Sequence, residues 1–79
     1  MSYTIKYGVT PDGLFTVSLD AEGNRYAVYV WGHEAHRLTL SEKFSDYDVA
    51  ETRFNALCAA YSVTEIKDTE IDEGAFDFD

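Results

Sequence analysis

The first forty residues alternate between apolar and polar side chains, and three turn sequences interrupt the alternation. A period of two is typical of a β-strand that buries one face. The turns at residues 10–13, 20–24 and 32–35 each contain glycine, and the first also contains proline, which are residues that tight turns favour. The sequence therefore predicts an antiparallel meander of three or four strands. The predicted strands are residues 3–9, 14–19, 25–31 and 36–40.

The third predicted strand is apolar on both faces, which is typical of a strand that is central or covered on both sides. One face carries Tyr26, Val28 and Val30, and the other carries Ala27, Tyr29 and Trp31. Core packing explains these aromatic side chains. If only one helix covers the sheet, the aromatic side chains on the uncovered face are also free to contact a partner or a second copy. In the first strand, alternation places four apolar side chains on one face: Tyr3, Ile5, Tyr7 and Val9.

The period changes at Ser45, which can cap a helix while Asp48 bonds back to the cap amide. Apolar residues then recur at helical spacing, and the pattern ends near Tyr61. The predicted fold is α+β: an antiparallel β-sheet of three to five strands with one α-helix, about residues 46–61, packed on one face. Residues 63–66 can add a last strand. The predicted helix stripe is Tyr47, Ala50, Phe54, Leu57, Cys58 and Tyr61.

The 79 residues predict a single domain, 1–79, with an acidic C-terminal segment at residues 68–79. Fifteen acids against six bases give a net charge of −9, which argues against nucleic acid or an anionic membrane as the direct ligand. The segment 68–79 alone holds six of the acids and no base. Hydrophobic residues make up 46% of the chain, which excludes a disordered polypeptide.

The acidic segment is the strongest candidate for a binding site. In an extended chain, Asp68, Glu70 and Asp72 share one face about 6.6 Å apart, a spacing that resembles a row of phosphates. Phe76 and Phe78 add apolar anchors. A solvated tail is the alternative for this segment, and helix-dipole stabilisation is the alternative for the acids at the helix start. The predicted partner-binding residues are Asp68, Glu70, Asp72, Glu73, Asp77, Asp79, Asp46, Asp48 and Glu51.

Other side chains suggest little chemistry. His33 and His36 are three residues apart in a predicted turn and strand and lack a third ligand, so we interpret them as surface residues. Cys58 lies on the apolar helix stripe as a small hydrophobe, and a lone cysteine forms no internal disulfide. No spacing indicates a catalytic triad, a calcium loop or a phosphate-binding loop. We expect no enzyme activity, no metal and no cofactor. Without a signal or membrane-spanning pattern, we expect a cytoplasmic protein.

The chain resembles the anti-CRISPR proteins, which are phage-encoded inhibitors of bacterial defence. The resemblance lies in its general character: a small, single-domain, acidic α+β protein without a catalytic motif. It implies that the protein acts in the host bacterial cytoplasm and binds a CRISPR effector complex. Its acidic residues would then stand in for DNA phosphates and block the nucleic-acid-binding site.

A second resemblance is to the WGR domain, a DNA-binding module of poly(ADP-ribose) polymerases. Tyr29-Val30-Trp31-Gly32 is similar to the core of that domain, and Phe44-Ser45-Asp46 with the following helix is similar to what comes next. The match covers roughly residues 14–61. His33 replaces the arginine, and the charge is acidic where DNA contact needs bases, so the resemblance informs the fold rather than DNA binding.

Together these features predict a non-catalytic inhibitor that binds a basic, nucleic-acid-binding protein or complex by mimicking DNA. The alternative is a small regulatory or interaction module that dimerises through an aromatic sheet face. Salt separates the two hypotheses. Binding by mimicry weakens steeply as salt rises, whereas apolar self-association is unchanged or strengthened.

Overall fold

A computed structural model describes residues 2–68 and confirms the predicted α+β fold. The elements are β1 Ser2–Val9, β2 Phe15–Glu22, β3 Arg25–Gly32, β4 Arg37–Phe44, α1 Tyr47–Ala60 and β5 Ile66–Asp68. The five antiparallel strands form one sheet in the order β4-β3-β2-β1-β5, and α1 packs across one face. The first four strands form the predicted meander. The last strand begins at the end of its predicted range, residues 63–66, and pairs with β1 at the far edge.

Two strands, β2 and β4, end three and four residues later than predicted. The predicted connection at residues 20–24 is reduced to a two-residue turn, because Asp20 and Ala21 pair with β3 and continue β2. Gly23 has a φ of 63°, a conformation that favours glycine and lets so short a turn close. β4 likewise continues to Phe44, since pairing with β3 holds the polar residues 41–43 in the sheet.

A β-bulge in β1 corrects the predicted face of that strand. The register with β2 shifts between Thr4 and Lys6, so two consecutive residues, Ile5 and Lys6, both lie on the helix side. Tyr7 and Val9 are thereby turned to the opposite face, away from α1. The alternation in the sequence does not indicate this extra residue, so the prediction that Tyr7 and Val9 share a face with Ile5 is wrong.

The N-cap of the helix lies one residue later than predicted. Asp46, not Ser45, is the N-cap, and its carboxylate accepts a hydrogen bond from the Asp48 N–H at 3.2 Å. The helix ends at Ala60, and the N–H groups of Tyr61 and Val63 bond back to carbonyls of its last turns. Its predicted apolar stripe is confirmed: four members are buried, and the two tyrosines at the ends pack against the core.

The core lies between α1 and the sheet. Phe54, Leu19, Val17, Val28 and Val30 are its largest fully buried side chains. At the helix start Tyr47 packs edge-on against Tyr26, and at its end Tyr61 packs edge-on against Phe15, each with ring centroids 5.4 Å apart. We call the sheet face opposite α1 the open face, because no element within residues 2–68 packs on it.

Candidate functional site

The sheet has two ends that differ in charge. The hairpin end holds the β2–β3 turn and the start of α1, and the loop end holds the other two turns and the end of α1. The strand register divides the sheet into a hairpin half and a loop half, and we assign the first ten residues of α1 to the hairpin half and its last four to the loop half. The hairpin half comprises residues 2–6, 19–28, 42–56 and 68, and the loop half comprises residues 7–18, 29–41 and 57–67.

Acids are concentrated in the hairpin half, which has seven acids and four bases, a net charge of −3. The loop half has three acids and two bases, a net charge of −1. The described chain ends in the hairpin half at Asp68, and the sequence continues with five more acids and no base. The chain therefore carries most of its net charge at one end of the sheet and in the segment that follows.

Four predicted site residues lie in the described chain, and all four are in the hairpin half: Asp46, Asp48, Glu51 and Asp68. Asp46 and Asp48 are exposed at the positive end of the helix dipole. The other predicted site residues, Glu70, Asp72, Glu73, Asp77 and Asp79, lie outside the described residues.

Lys6 brings Glu51 and Asp68 together. Its Nζ lies 2.7 Å from Glu51 Oε2, and Asp68 faces Lys6 across the β1–β5 ladder. The Tyr47 hydroxyl also donates to Glu51 Oε2 at 3.2 Å. The bond with Glu51 raises the pKa of Lys6, and Lys6 lowers the pKa of the Glu51 carboxyl. Glu51 is therefore partly neutralised within the fold, which makes it a weaker contact for a partner than the predicted role requires.

Two further salt bridges occupy basic residues of the hairpin half. Arg53 holds Glu42 through two bonds, Nε to Oε1 at 2.8 Å and Nη2 to Oε2 at 3.1 Å. Lys43 Nζ lies 2.7 Å from Glu22 Oε1. Asp46 and Asp48 are outside all the salt bridges found within residues 2–68, so their charge is directed to solvent. This pair is the strongest described part of the predicted acidic site.

Sequence reasoning missed Asp20, because it placed the residue in a turn. Asp20 lies on β2 in the open face, and its Oδ1 is buried without a hydrogen-bond partner among residues 2–68. Burial raises the pKa of Asp20, although the neighbouring hydroxyls of Thr4 and Ser18 oppose the shift. The carboxylate is therefore held in an environment that disfavours its charge.

Replacing Asp20 by asparagine is expected to raise the melting temperature at about pH 7 and to change it little at about pH 3. Because the pKa of Asp20 is higher in the folded than in the unfolded state, the fold loses stability as pH rises through the folded-state pKa and the carboxyl becomes charged. Thermal denaturation at both pH values measures the difference. Glu34→Gln is the control, because it removes one charge from an exposed side chain. Equal shifts for both variants at pH 7 would contradict the burial argument.

The predicted aromatic face is smaller than the sequence suggests. Tyr26 lies on the helix side against Tyr47, so it does not belong to the open face. Tyr29 is on the open face, but its hydroxyl donates to the Glu22 carboxylate and accepts from Lys43 Nζ at 2.6 Å. The Lys43 ammonium also lies 5.0 Å from the centre of the Tyr29 ring. Of the three predicted aromatics, only Trp31 remains an exposed apolar surface on that face.

Three other features offer little chemistry. A shallow groove of about 430 Å³ between α1 and β4 is mostly apolar, and Arg53 at its wall is already bound to Glu42. Cys58 is buried in the core, and burial raises the pKa of its thiol. The His33 ring bonds to the Thr16 hydroxyl at 2.7 Å. Within residues 2–68, no three His, Cys, Asp or Glu side chains are grouped closely enough to hold a metal ion.

No protein-family model, curated protein or solved structure matches this chain. Neither predicted resemblance gains support from these comparisons, and both stay predictions. No helix within residues 2–68 has the length and apolar character needed to cross a membrane. The functional argument therefore rests on the charge and exposure of this chain's own residues.

Proposed function

We propose that the protein is a non-catalytic inhibitor that binds a basic, nucleic-acid-binding protein or complex through its acidic hairpin end. The specific form of the proposal is an anti-CRISPR role, in which the acids occupy the DNA-binding site of a CRISPR effector complex. The observation that supports it is the segregation of acids into the hairpin half and the segment that follows Asp68.

Charge segregation matters because a basic groove attracts a concentrated anionic surface more strongly than the same charge spread evenly. Asp46 and Asp48 present two exposed carboxylates beside the helix start, outside the three salt bridges that residues 2–68 form. Asp68 ends the described chain in the same half, and residues 69–79 add five acids. Such a surface increases the association rate and favours partners that bind phosphates.

The test begins with tagged protein and a panel of CRISPR effector complexes. Stable capture together with loss of target-DNA binding would support the proposal. Capture with DNA binding intact would keep inhibition but reject mimicry, and capture by no complex would reject the CRISPR form. The captured interaction should also weaken steeply between about 50 and 500 mM salt.

Charge-neutralising variants then test the acidic end. We expect Asp68→Asn with Glu70→Gln to slow association with the captured complex roughly tenfold at low salt. The matched control is Glu34→Gln with Glu65→Gln, which removes the same charge from exposed side chains of the loop half. Association rates from biolayer interferometry measure the difference, with circular dichroism to verify folding. Similar rates for the two double variants would show that net charge alone, not its location, governs binding.

A further inference from the structure

One row of the open face carries no formal charge and is apolar except at Thr16, whose hydroxyl bonds to the His33 ring. Val9 faces Thr16, Thr16 faces Trp31, and Trp31 faces Leu38 across neighbouring strands. Directly opposed residues of antiparallel strands share a face, so these four side chains form a continuous band across β1 to β4. We call this band, Val9, Thr16, Trp31 and Leu38, the Trp31 row.

Exposed apolar surface is concentrated at this row. Of the seven large hydrophobic side chains exposed within residues 2–68, three belong to it: Val9, Trp31 and Leu38. A fourth, Leu14, adjoins it at the loop end, where its carbonyl accepts the His33 N–H at 2.8 Å. Scattered exposed hydrophobics are ordinary, but a contiguous patch centred on tryptophan is typical of a protein interface.

We propose that the Trp31 row is the centre of a homodimer interface in which the open faces of two copies pack together. The charge distribution favours a second copy as the partner. The row carries no charge that could recognise a strongly charged partner, and it lies in the half of the sheet whose net charge is only −1. Two copies that meet there keep their acidic hairpin ends apart, and salt screens repulsion beyond about 8 Å at physiological ionic strength.

A two-fold dimer also requires a patch that is complementary to itself. A band of apolar side chains meets this requirement, because Trp31 of each copy can pack against Val9 and Leu38 of the other. The charged groups of the open face lie in other rows: Lys67 faces Tyr7 in the neighbouring row, Asp20 and Lys43 share a further row, and Glu22 and Arg25 lie beyond them at the hairpin end. In a dimer centred on the Trp31 row, these charged groups lie toward the rim of the interface.

The area of the open face indicates a weak dimer. Strands spaced about 4.8 Å apart with a rise of about 3.3 Å per residue give a five-stranded face of roughly 500 Å² per copy. An interface that is centred on the Trp31 row and keeps the hairpin ends apart covers only part of each face, so it buries less than about 1,000 Å² in total, the size of a weak, transient contact. We therefore expect a dissociation constant of roughly 0.1–1 mM, so the dimer should form only in concentrated protein solutions.

Analytical ultracentrifugation between about 20 µM and 1 mM tests the proposal. We expect the average mass to increase from monomer toward dimer, with association unchanged or strengthened by salt. Trp31 is the only tryptophan in the chain, so its fluorescence reports the interface directly. Its emission should shift to shorter wavelength, and acrylamide quenching should decrease, over the same concentration range.

Variants decide whether the Trp31 row is the interface. Trp31→Thr and, separately, Leu38→Thr should abolish dimerisation. Leu38→Thr keeps the test valid if the tryptophan variant does not fold. Val49→Thr, at an equally exposed apolar residue on α1, is the control and should leave the dimer intact. The proposal would be overturned by a monomer at every concentration, by a dimer that both row variants retain, or by a dimer that salt dissociates.

A different partner for the Trp31 row would give a different experimental result. If the protein stays monomeric while Trp31→Thr weakens capture by a basic complex, the row contacts that complex and the dimer proposal is wrong. If the dimer forms and no basic complex is captured, the dimer proposal stands and the proposed inhibitor function fails. The two proposals therefore fail in distinguishable ways.

Discussion

Replacing Phe54 by alanine is expected to lower the free energy of unfolding by about 3–5 kcal/mol. Phe54 is fully buried on the inner side of α1, among the largest side chains of the core. A domain of this length has a total stability of about 4–12 kcal/mol. The cavity left by the ring therefore removes a large fraction of the free energy of unfolding, and some of the variant molecules should be unfolded at room temperature.

Urea denaturation followed by circular dichroism measures this loss. The control is Val49→Ala on the same helix, where the side chain is half exposed and the expected change is within about 0.5 kcal/mol. Phe54→Leu keeps most of the volume and should lose less than the alanine variant. If Phe54→Ala and Val49→Ala were equally stable, α1 would not be packed on the sheet through this residue.

Replacing Gly8 by alanine is expected to destabilise the fold by about 1–3 kcal/mol. Gly8 lies on the helix side of β1, opposite Val17 and Ile66. An added Cβ would overlap the Val63 Cγ1 atom and lie 3.1 Å from the Glu65 carbonyl oxygen. The segment that connects α1 to β5 passes over the sheet here, and only a residue without a side chain permits this close approach.

A second substitution makes the test specific to that contact. Val63→Ala removes the overlapping methyl group, so the double variant should lose less stability than the sum of the single variants. Gly32→Ala is the matched control in β3. Its Cβ would lie 3.3 Å from the Thr39 hydroxyl oxygen, a side chain that can move, so the expected loss is smaller. Additive effects of Gly8→Ala and Val63→Ala would contradict the steric explanation.

The sequence predicts the sheet and the helix because each has a local signal. Alternation with glycine turns specifies the meander, and the change of period at residue 45 specifies α1. The face of an individual side chain depends on long-range packing, and here the prediction is incomplete. Tyr26 and Tyr29 belong to one apolar strand, and only the position of α1 decides which of them is covered.

The candidate sites show the same division between local and long-range information. The concentration of acids near the C-terminus is visible in the sequence. The contact of Lys6 with Glu51, in contrast, depends on the bulge in β1 and the packing of α1, and the facing position of Asp68 depends on the pairing of β5 with β1. The Trp31 row likewise depends on the bulge in β1, which turns Val9 to the open face. Neither arrangement leaves a periodic signal in the sequence.

The pairing of β1 with β5 also bears on the order in which the chain folds. Each of the other strand pairs is a hairpin between neighbours in sequence, whereas the β1–β5 ladder joins Lys6 to Asp68, almost the full length of the described chain. Contacts of such long range form slowly, because the intervening chain loses entropy before the pairing compensates for it. β5 has three residues, all exposed, so little burial favours its early docking. We therefore expect the meander and α1 to form first and β5 to pair with the edge of the sheet in a late step.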